Sequence, residues 1–342
     1  MNRSSASLVF ILAIMVSGCV ISPRRTVGGT SGGSGGGTTG TGGQLYVSTP
    51  NAILRFSSAE TVNGNTAPTA TITTVALSSP QHMTVDTTND RLYVANQGTS
   101  SVLIFDNAST LSGSAAPRAL IGNATGLSRP VDVGIDTIND ILYVADGTSI
   151  LVYTSASTIN GNQVPASTIN VGVTIGGISL DAVNNQLYFT DPGDNAVDRL
   201  DSVSTQTVVG IVGGAIAGTD TGLSQPRGIV LNAGANSLLV SNSVSPVSVT
   251  TYGSANVNTG DVLTTNNISG TPTALQSPQQ IAFNPNVSNG ELYVADPVAS
   301  SILIYTSVST TTGALPPTRT ITGSSTGLAL NAINGIALDT TR

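Results

Sequence analysis

The chain has 342 residues, with 11 basic residues, 18 acidic residues and one histidine, so its formal net charge at pH 7 is −7. Nucleic acid phosphates require a basic protein face, and this acidic balance therefore excludes nucleic acid as a partner. All basic residues are arginine, which excludes mechanisms that depend on a lysine base or a lysine Schiff base.

The N-terminus carries an export signal. The apolar run of residues 8–16 is too short to span a bilayer, which needs roughly 20 helical residues. The run ends in Val-Ser-Gly-Cys19, which resembles a bacterial lipobox, and Cys19 is the only cysteine. The resemblance implies that residues 1–18 are removed and that Cys19 is lipidated. Because Val20 rather than aspartate follows, it also implies an outer-membrane location. The alternative is a chance cysteine after an ordinary export signal.

A tether follows the lipidated cysteine. Residues 26–43 are almost entirely Gly, Ser and Thr, a composition that buries little apolar surface and behaves as a flexible coil. The segment lacks the Gly-Lys-Ser/Thr sequence of a phosphate-binding loop. We therefore expect residues 19–43 to connect the lipid to a folded domain at residues 44–342.

The folded part consists of repeats. A Leu-Tyr-Val type strand recurs every 45 to 54 residues. In the repeat at residues 130–165, apolar patterns predict strands at 131–136, 141–145 and 150–153, with a fourth at 167–172. Such a small sheet cannot bury both faces alone, so it must pack against similar sheets. The recurring strands begin at Leu45, Leu92, Leu142, Leu187, Leu238 and Leu292.

The first and last repeats complement each other. The first Leu-Tyr-Val strand lacks the alternating strand that precedes the others, whereas the last alternating strand, at residues 334–339, has no Leu-Tyr-Val strand after it. Residues 334–339 would therefore pair with strands at 45–48, 53–56 and 69–74. We predict an all-β fold, a closed six-bladed β-propeller of four-stranded blades.

Four repeats share a further spacing, in which an aromatic residue is followed by Gly eight and Pro twelve residues later. This spacing predicts a common loop between the third and fourth strands. Leu200 and Tyr252 occupy the aromatic position of two other repeats that lack the proline, so the spacing does not define the loops there. The shared triplets are Phe56, Gly64 and Pro68; Phe105, Gly113 and Pro117; Tyr153, Gly161 and Pro165; and Tyr305, Gly313 and Pro317.

The repeat motifs resemble a known class. Residues 130–136 with Leu142-Tyr-Val-Ala-Asp146, and Leu92-Tyr-Val-Ala-Asn96 with residues 102–105, look like NHL repeats and the related YVTN-type repeats of bacterial envelope propellers. The resemblance extends over residues 44–342 and implies the propeller architecture. Because fold and chemistry are separable, it implies for function only that binding or scaffold modules are more common than enzymes among these propellers.

Few residues could support catalysis. His82 is the only histidine, and Glu60 and Glu291 are the only glutamates. A histidine metal site needs more than one histidine, and a Ser-His-Asp triad would have to use His82. The repeat register places both glutamates on the face opposite the usual propeller site. We therefore predict no catalytic residue, metal or cofactor, and consider a channel-rim base at His82 as the alternative.

Two sets of Asp and Asn residues recur at strand ends. The set that ends the first strands precedes turn sequences without a DxDxDG calcium loop, so we expect turn capping. The set that ends the second strands lies on the presumed binding face, where we expect Asx turns, with binding of a polar ligand or ion as the alternative. The first set is Asp86, Asp136, Asp181, Asn232, Asn284 and Asp339, and the second is Asn96, Asp146, Asp191, Asn242 and Asp296.

The loops that enter the first strands differ between repeats. Aligned on Pro80, Pro130, Pro226 and Pro278, the next two positions are Gln81-His82, Val131-Asp132, Gly176-Gly177, Arg227-Gly228, Gln279-Gln280 and Asn334-Gly335. A position needed only for folding should be similar in every repeat, so the variety favours a site, although drift on an idle surface would look the same. We predict that a polar pocket is rimmed by Gln81, His82, Asp132, Arg227 and Gln280, with Arg227 suited to an anionic group.

These features predict a membrane-anchored, extracytoplasmic propeller that acts as a binding or scaffold module for a protein or a polar ligand. Two alternatives remain at this point. One is a metal-dependent lactonase or hydrolase with its site at the propeller channel, and the other is a structural component of the cell envelope.

Overall fold

The apolar strands and intervening turns fold as the repeat pattern indicates. The computed structural model describes residues 42–207 and 213–342. It shows six four-stranded antiparallel blades around a central axis, a six-bladed β-propeller, so the predicted fold class is confirmed. The predicted signal peptide, Cys19 and nearly all of the tether lie outside the described residues. Within the described ranges, no helix has the length and apolarity needed to cross a bilayer.

Blades are numbered in chain order and strands from the channel outward. Blade 1 contains Gly335–Asp339, Gln44–Thr49, Ala52–Ser57 and Ala70–Thr73; blade 2 contains Pro80–Asp86, Arg91–Asn96, Ser101–Asp106 and Arg118–Leu120; blade 3 contains Pro130–Asp136, Ile141–Asp146, Ser149–Thr154 and Ser167–Asn170. Blade 4 contains Ile178–Asp181, Gln186–Asp191, Ala196–Asp201 and Gly213–Ile216; blade 5 contains Pro226–Asn232, Ser237–Asn242, Ser248–Gly253 and Asn266–Ser269; blade 6 contains Ile281–Asn284, Glu291–Asp296, Ser301–Thr306 and Arg319–Ile321. Short 3₁₀ helices lie at Gln97–Thr99, Ala108–Thr110, Asn123–Thr125, Val203–Thr205, Ala233–Ala235 and Thr271–Thr273.

The C-terminal strand closes the ring as predicted. It pairs antiparallel with the first strand of the chain, so that Gln44 lies opposite Asp339 and Ser48 lies opposite Gly335. Ile336 packs into the apolar cluster between blades 6 and 1, whereas Ala337 packs into the cluster between blades 1 and 2. The last strand therefore completes one blade and contributes to the core on both sides of it.

The second strands supply the centre of the core. In blade 3, Tyr143 packs between blades 3 and 4, while its neighbours Leu142 and Val144 pack between blades 2 and 3. All three side chains are fully buried. Because a neighbouring blade covers each face, the strand is apolar throughout instead of alternating. This explains the near-continuous Leu-Tyr-Val-Ala run.

A glycine between the third and fourth strands joins its blade to the preceding one. The Gly161 N–H donates to Ala119 O at 2.7 Å, and the Ile121 N–H donates to Gly161 O at 3.1 Å. The bridging glycines have φ between 66° and 90°, a region that favours glycine. Blade 5 keeps this bridge through Gly260, although it lacks the proline. The bridging glycines are Gly64, Gly113, Gly161, Gly260 and Gly313.

The aromatic residue of the same motif supports the loop that enters its own blade. The Tyr153 hydroxyl donates to Thr125 O at 2.5 Å, and the Thr125 hydroxyl donates to Gly122 O at 2.8 Å. Tyr252 makes the same contact with Thr221 at 2.6 Å. The Gly-x-x-Thr turn and the buried tyrosine therefore position the loops on one face of the ring.

Asp198 is the exception in this apolar architecture. It occupies the third-strand position that is Leu103, Leu151 and Leu303 in other blades, and it is 2% exposed. Its Oδ2 atom is buried without a hydrogen-bond partner. Burial, with smaller contributions from the charges of Asp191 and Asp194, raises the pKa of Asp198 to about 7.

We expect Asp198 to make the fold less stable as pH rises. The native carboxyl has a pKa of about 7 against about 3.9 in an unfolded chain, so the native state binds the extra proton between these values. Its stabilising contribution is complete below pH ~4 and is lost as pH rises through ~7, a change of roughly 4 kcal/mol at most. Chemical denaturation at pH 5 and pH 8 should show this loss in the parent and a much smaller loss in Asp198→Asn. Asp220→Asn, at an exposed carboxylate, is the matched control. An equal pH dependence in Asp198→Asn and the parent would contradict the assignment.

Candidate functional site

One face of the ring carries the loops that enter the first strands and the turns that follow the second strands. A cavity of about 280 Å³ opens there at the end of the channel, and we call it the mouth. Every blade contributes to its lining, which is Gln81, His82, Gln97, Arg129, Val131, Thr174, Ile175, Gly176, Arg227, Gln279, Pro297, Asn331, Ile333 and Asn334.

Beneath the mouth, the first strands are joined in one of two ways. Where the first strand carries glycine, the second strand of the same blade carries a hydroxyl that bonds to the next blade. The Thr190 hydroxyl accepts from the Gly177 N–H at 2.9 Å and donates to Arg227 O at 2.7 Å. A Cβ at Gly177 would lie only 2.7 Å from Arg227 O, so this close approach requires glycine. Ser241 repeats the arrangement with Gly228 and Gln279 O. The Ser48 hydroxyl also joins two blades, but it lies against the carbonyls of Gln81 and Gly335.

The other blades use a long polar side chain instead. The Gln280 Oε1 atom accepts the Ile336 N–H at 2.6 Å, and the Asp132 Oδ2 atom accepts the Ile178 N–H at 2.8 Å, each across a blade boundary. The His82 Nδ1 atom lies 3.2 Å from Asp132 Oδ2, without the alignment of a hydrogen bond. The second strands of these blades carry alanine where the others carry the hydroxyl.

The variety at these positions therefore has a structural cause. Gly with Ser or Thr, and Asp or Gln with Ala, are two ways to bond adjacent first strands, whereas His82 contacts Asp132 of the next blade without a hydrogen bond. His82, Asp132 and Gln280 are between 4% and 8% exposed. Of the five residues predicted at the rim, Gln81, His82 and Arg227 line the mouth together, whereas Asp132 and Gln280 line the channel below it.

The Asp and Asn residues that end the second strands are already engaged by the protein. Asn96, Asp146 and Asn242 accept backbone N–H groups of the loop that enters their own blade, at 2.8 to 2.9 Å. Asp296 accepts the Gln276 N–H at 2.7 Å, and Asp191 accepts the Gly193 N–H at 2.9 Å. All five residues are buried, so they hold the loops of the mouth in place instead of lining it.

The carboxylates at the ends of the first strands cap turns, as expected. Asp136 Oδ1 accepts the N–H groups of Ile138 and Asn139, both at 3.0 Å. Asp86 makes the equivalent bonds, and Asn232, Asn284 and Asp339 each accept an N–H of the following turn. Turn capping thus explains why these positions recur in every blade.

Arginine distinguishes the mouth from the rest of the described surface. Among the described arginines, only Arg129 and Arg227 line the mouth, and neither has a described carboxylate within ion-pair distance of its side chain. No Asp or Glu belongs to the described lining. The other described arginines bond to acidic or amide side chains elsewhere, as in Arg91 and Arg118 with Asp106, Arg199 with Asp201, Arg319 with Glu291, Arg342 with Asp339 and Arg55 with Gln44.

Arg129 is a mouth residue that the sequence analysis missed. It directly precedes Pro130, whereas the prediction considered only the two positions after each proline. Gln97, Pro297 and Asn331 were missed for a related reason, since they follow second strands or lie earlier in an entering loop. Their positions relative to the channel depend on loop geometry that the repeat register does not specify.

The channel below the mouth is mainly apolar. Its cavity of about 250 Å³ is lined by first-strand side chains such as Val133, Ile229 and Phe283, and Asp132 is the carboxylate among them. Asp132 already accepts the N–H groups of Val133 and Ile178, both at 2.8 Å. In the described ranges, no three His, Cys, Asp or Glu side chains meet in a group that could hold a metal ion. This donor set does not fit a channel metal.

Both glutamates lie away from the mouth, as the register predicts. Glu291 begins a second strand, pairs with Arg319 at 2.5 Å and accepts the Tyr293 hydroxyl at 2.5 Å. Glu60 lies after a third strand and accepts the amide of Asn284 at 3.1 Å. Each therefore supports contacts between strands and loops on the opposite face.

Comparisons with known proteins define the class by fold alone. No family model and no curated protein matches the sequence. A chain from a crystal structure of a nidogen/laminin complex is 15% identical, with a TM-score of 0.63 over 87% of this chain and 98% of that chain. A functionally unknown protein from Desulfotomaculum acetoxidans DSM 771 is also 15% identical, with a TM-score of 0.54 over 81% of this chain and 79% of that chain. These similarities place the chain among proteins with the β-propeller fold.

We expect Thr190→Val to weaken the junction between blades 4 and 5. Valine has the shape of threonine but leaves the buried Gly177 N–H and Arg227 carbonyl without the hydroxyl that bonds to both. The free energy of unfolding should fall by about 1 to 3 kcal/mol. Denaturant titration measures the change, and Thr190→Ser, which keeps the hydroxyl, should lose clearly less. Equal losses in the two variants would show that the methyl group, not the hydroxyl, stabilises the junction.

Proposed function

We propose that this protein is a lipid-anchored, extracytoplasmic β-propeller that binds a polar ligand or a partner protein at the mouth. The lipobox at Cys19 and the following Gly/Ser/Thr-rich segment support the anchoring and the outer-membrane location. The mouth supports the binding role, since every blade contributes to it and its two arginine side chains have no carboxylate partner among the described residues.

The proposal is supported mainly by a difference in how charged side chains are used: elsewhere they bond to the protein, whereas the arginines at the mouth have no carboxylate partner among the described residues. Recurring carboxylates at strand ends accept backbone N–H groups, and most described arginines have acidic partners. At the mouth, Arg129 and Arg227 share one cavity without a carboxylate. Unpaired polar groups that converge on a concave site are typical of ligand binding.

A binding role fits the chemistry better than catalysis. His82 is held beneath the mouth beside Asp132, and no serine or threonine hydroxyl bonds to its ring in the described structure. A nucleophile bonded to its base is the arrangement that covalent hydrolysis requires. The channel offers one carboxylate, which two backbone N–H groups already satisfy. We therefore assign no catalytic residue.

The position of the chain start also suits this role. The first described strand begins at Gln44, opposite Asp339, and reaches the mouth side only at Ser48, opposite Gly335. The domain therefore begins on the face away from the mouth. A partner could approach the mouth without meeting the start of the domain.

A photocrosslinking residue at Thr174 should capture the partner in intact cells. Thr174 is exposed and lines the mouth, whereas Ile138, which is 73% exposed, lies in a turn on the opposite face. We expect a discrete adduct from Thr174, identified by mass spectrometry, and none from the matched Ile138 variant. An adduct from Ile138 alone would move the site to the other face. An adduct with a second copy of the chain from either position would favour a structural envelope component.

The anchoring part of the proposal has its own test. If one lipidated thiol holds the protein at the membrane, Cys19→Ala should move most of it from the membrane fraction to the soluble extracytoplasmic fraction, because stable attachment depends on the acyl chains. Cell fractionation followed by a carbonate wash measures the change, with Cys19→Ser as a second variant. Membrane retention of both variants after the wash would contradict the lipoprotein assignment.

A further inference from the structure

The two mouth arginines, which have no carboxylate partner among the described residues, lie on either side of a glycine position that carries no side chain. Arg129 belongs to the loop entering blade 3, and Arg227 lies at the start of the first strand of blade 5. Between them, blade 4 carries Gly176 at the position that is Val131 in blade 3 and Arg227 in blade 5. The intervening blade therefore places no side chain there, and both arginines border the same cavity.

Arg227 also has an unused donor below the surface. Its side chain is half-buried, and its Nε atom is buried without a hydrogen-bond partner among the described residues. A buried donor without a partner is unfavourable. A guanidinium uses Nε and one terminal nitrogen together when it binds an oxyanion in the bidentate geometry. An oxyanion at the mouth would balance the charge of Arg227 and, once the side chain turns to expose Nε, would also accept from that donor.

The rest of the lining is compatible with a negative ligand. Gln81, Gln279 and Asn334 present neutral amides, and no Asp or Glu occurs among the described lining residues. The Asn334 amide donates one hydrogen to Pro80 O at 2.7 Å, and the Gln81 amide donates to Ser79 O at 3.1 Å. The Gln81 amide also donates to the Ser79 hydroxyl at 3.3 Å. Because an amide has two donor hydrogens, the Asn334 amide keeps one for a ligand or water.

We propose that the mouth binds an oxyanion, a carboxylate or a phosphate group, held by Arg129 and Arg227. This rests on the proposed function, because it assigns a ligand class to the same site. The cavity of about 280 Å³ is near the lower end of small-ligand pockets, roughly 300 to 1,000 Å³. The site therefore fits a small anion or the anionic end of a larger ligand.

The net charge of −7 does not oppose this assignment at short range. Charges separated by more than about 8 Å are largely screened at physiological ionic strength. The lining itself presents two arginines and neutral amides, and the nearby carboxylate of Asp132 lies beneath it, against His82. Binding should weaken as salt is added, because part of the attraction comes from partly exposed arginine side chains.

Isothermal titration of the purified full chain with inorganic phosphate and, separately, with acetate tests the proposal at constant ionic strength set by sodium chloride. We expect at least one anion to bind with 1:1 stoichiometry.

Arg227→Gln and Arg129→Gln should each weaken binding by about tenfold or more, since each removes a charge-assisted contact. Arg227→Lys keeps the charge but loses the planar donors, so it should fall between the parent and Arg227→Gln. Arg91→Gln, at an arginine paired with Asp106 outside the mouth, is the matched control and should bind like the parent.

The outcomes separate the possible ligand sources. Binding of phosphate alone assigns a tetrahedral oxyanion, and binding of acetate assigns a carboxylate. The proposal is overturned if neither anion binds beyond the chloride background, or if Arg227→Gln, with an unchanged melting temperature, binds as the parent does. If anion binding fails while Thr174 still captures a partner, the mouth remains the binding site and only the ligand class is wrong.

Discussion

Antiparallel pairing of the last strand with the first is the contact on which the ring depends. Each blade is a thin sheet with two apolar faces, and one open junction would expose both of its faces to water. The closing junction has the same contacts as the others. Gly64 bridges to Ile321, and Arg319 bonds to the carbonyls of Ala59 and Val62 at 2.8 Å while pairing with Glu291. In this way two distant ends of the chain form a junction like those within it.

The channel wall shows how repeats can diverge without losing a shared interaction. Most junctions have a polar side chain that bonds from one blade to the first strand of the next. Thr190 supplies a hydroxyl beside Gly177, whereas Gln280 supplies an amide where its second strand carries Ala295. Variation at these positions is therefore coupled within each blade. These polar side chains form a buried ring around the channel directly beneath the mouth.

Charge is sparse in this molecule and is distributed unevenly. With charged residues at 8% of the chain, most described arginines and many carboxylates are used to hold strands and turns together. Arg129 and Arg227 are exceptions, and both lie at the mouth. Asp198 is the exception within the core, where a leucine position holds a carboxyl without a full set of partners. The two arginines are suited to ligand binding, whereas we expect Asp198 to make the stability of the fold depend on pH.

Much of the architecture was determined by local sequence. Turn residues, apolar strands and complementary end repeats predicted the blade count, the strand order and the closing strand, because these depend on short-range chemistry and on counting. The sequence also placed Gln81, His82 and Arg227 at one opening. Tertiary structure decided which polar residues remain available there. Side chains contact the neighbouring blade at His82, Asp132 and Gln280. Asn96 and Asp146 accept backbone N–H groups of loops. Arg129 lines the same cavity as Arg227, although the two residues lie two blades apart. Those outcomes depend on distances between neighbouring blades, and one repeat unit contains no information about the distance to the next.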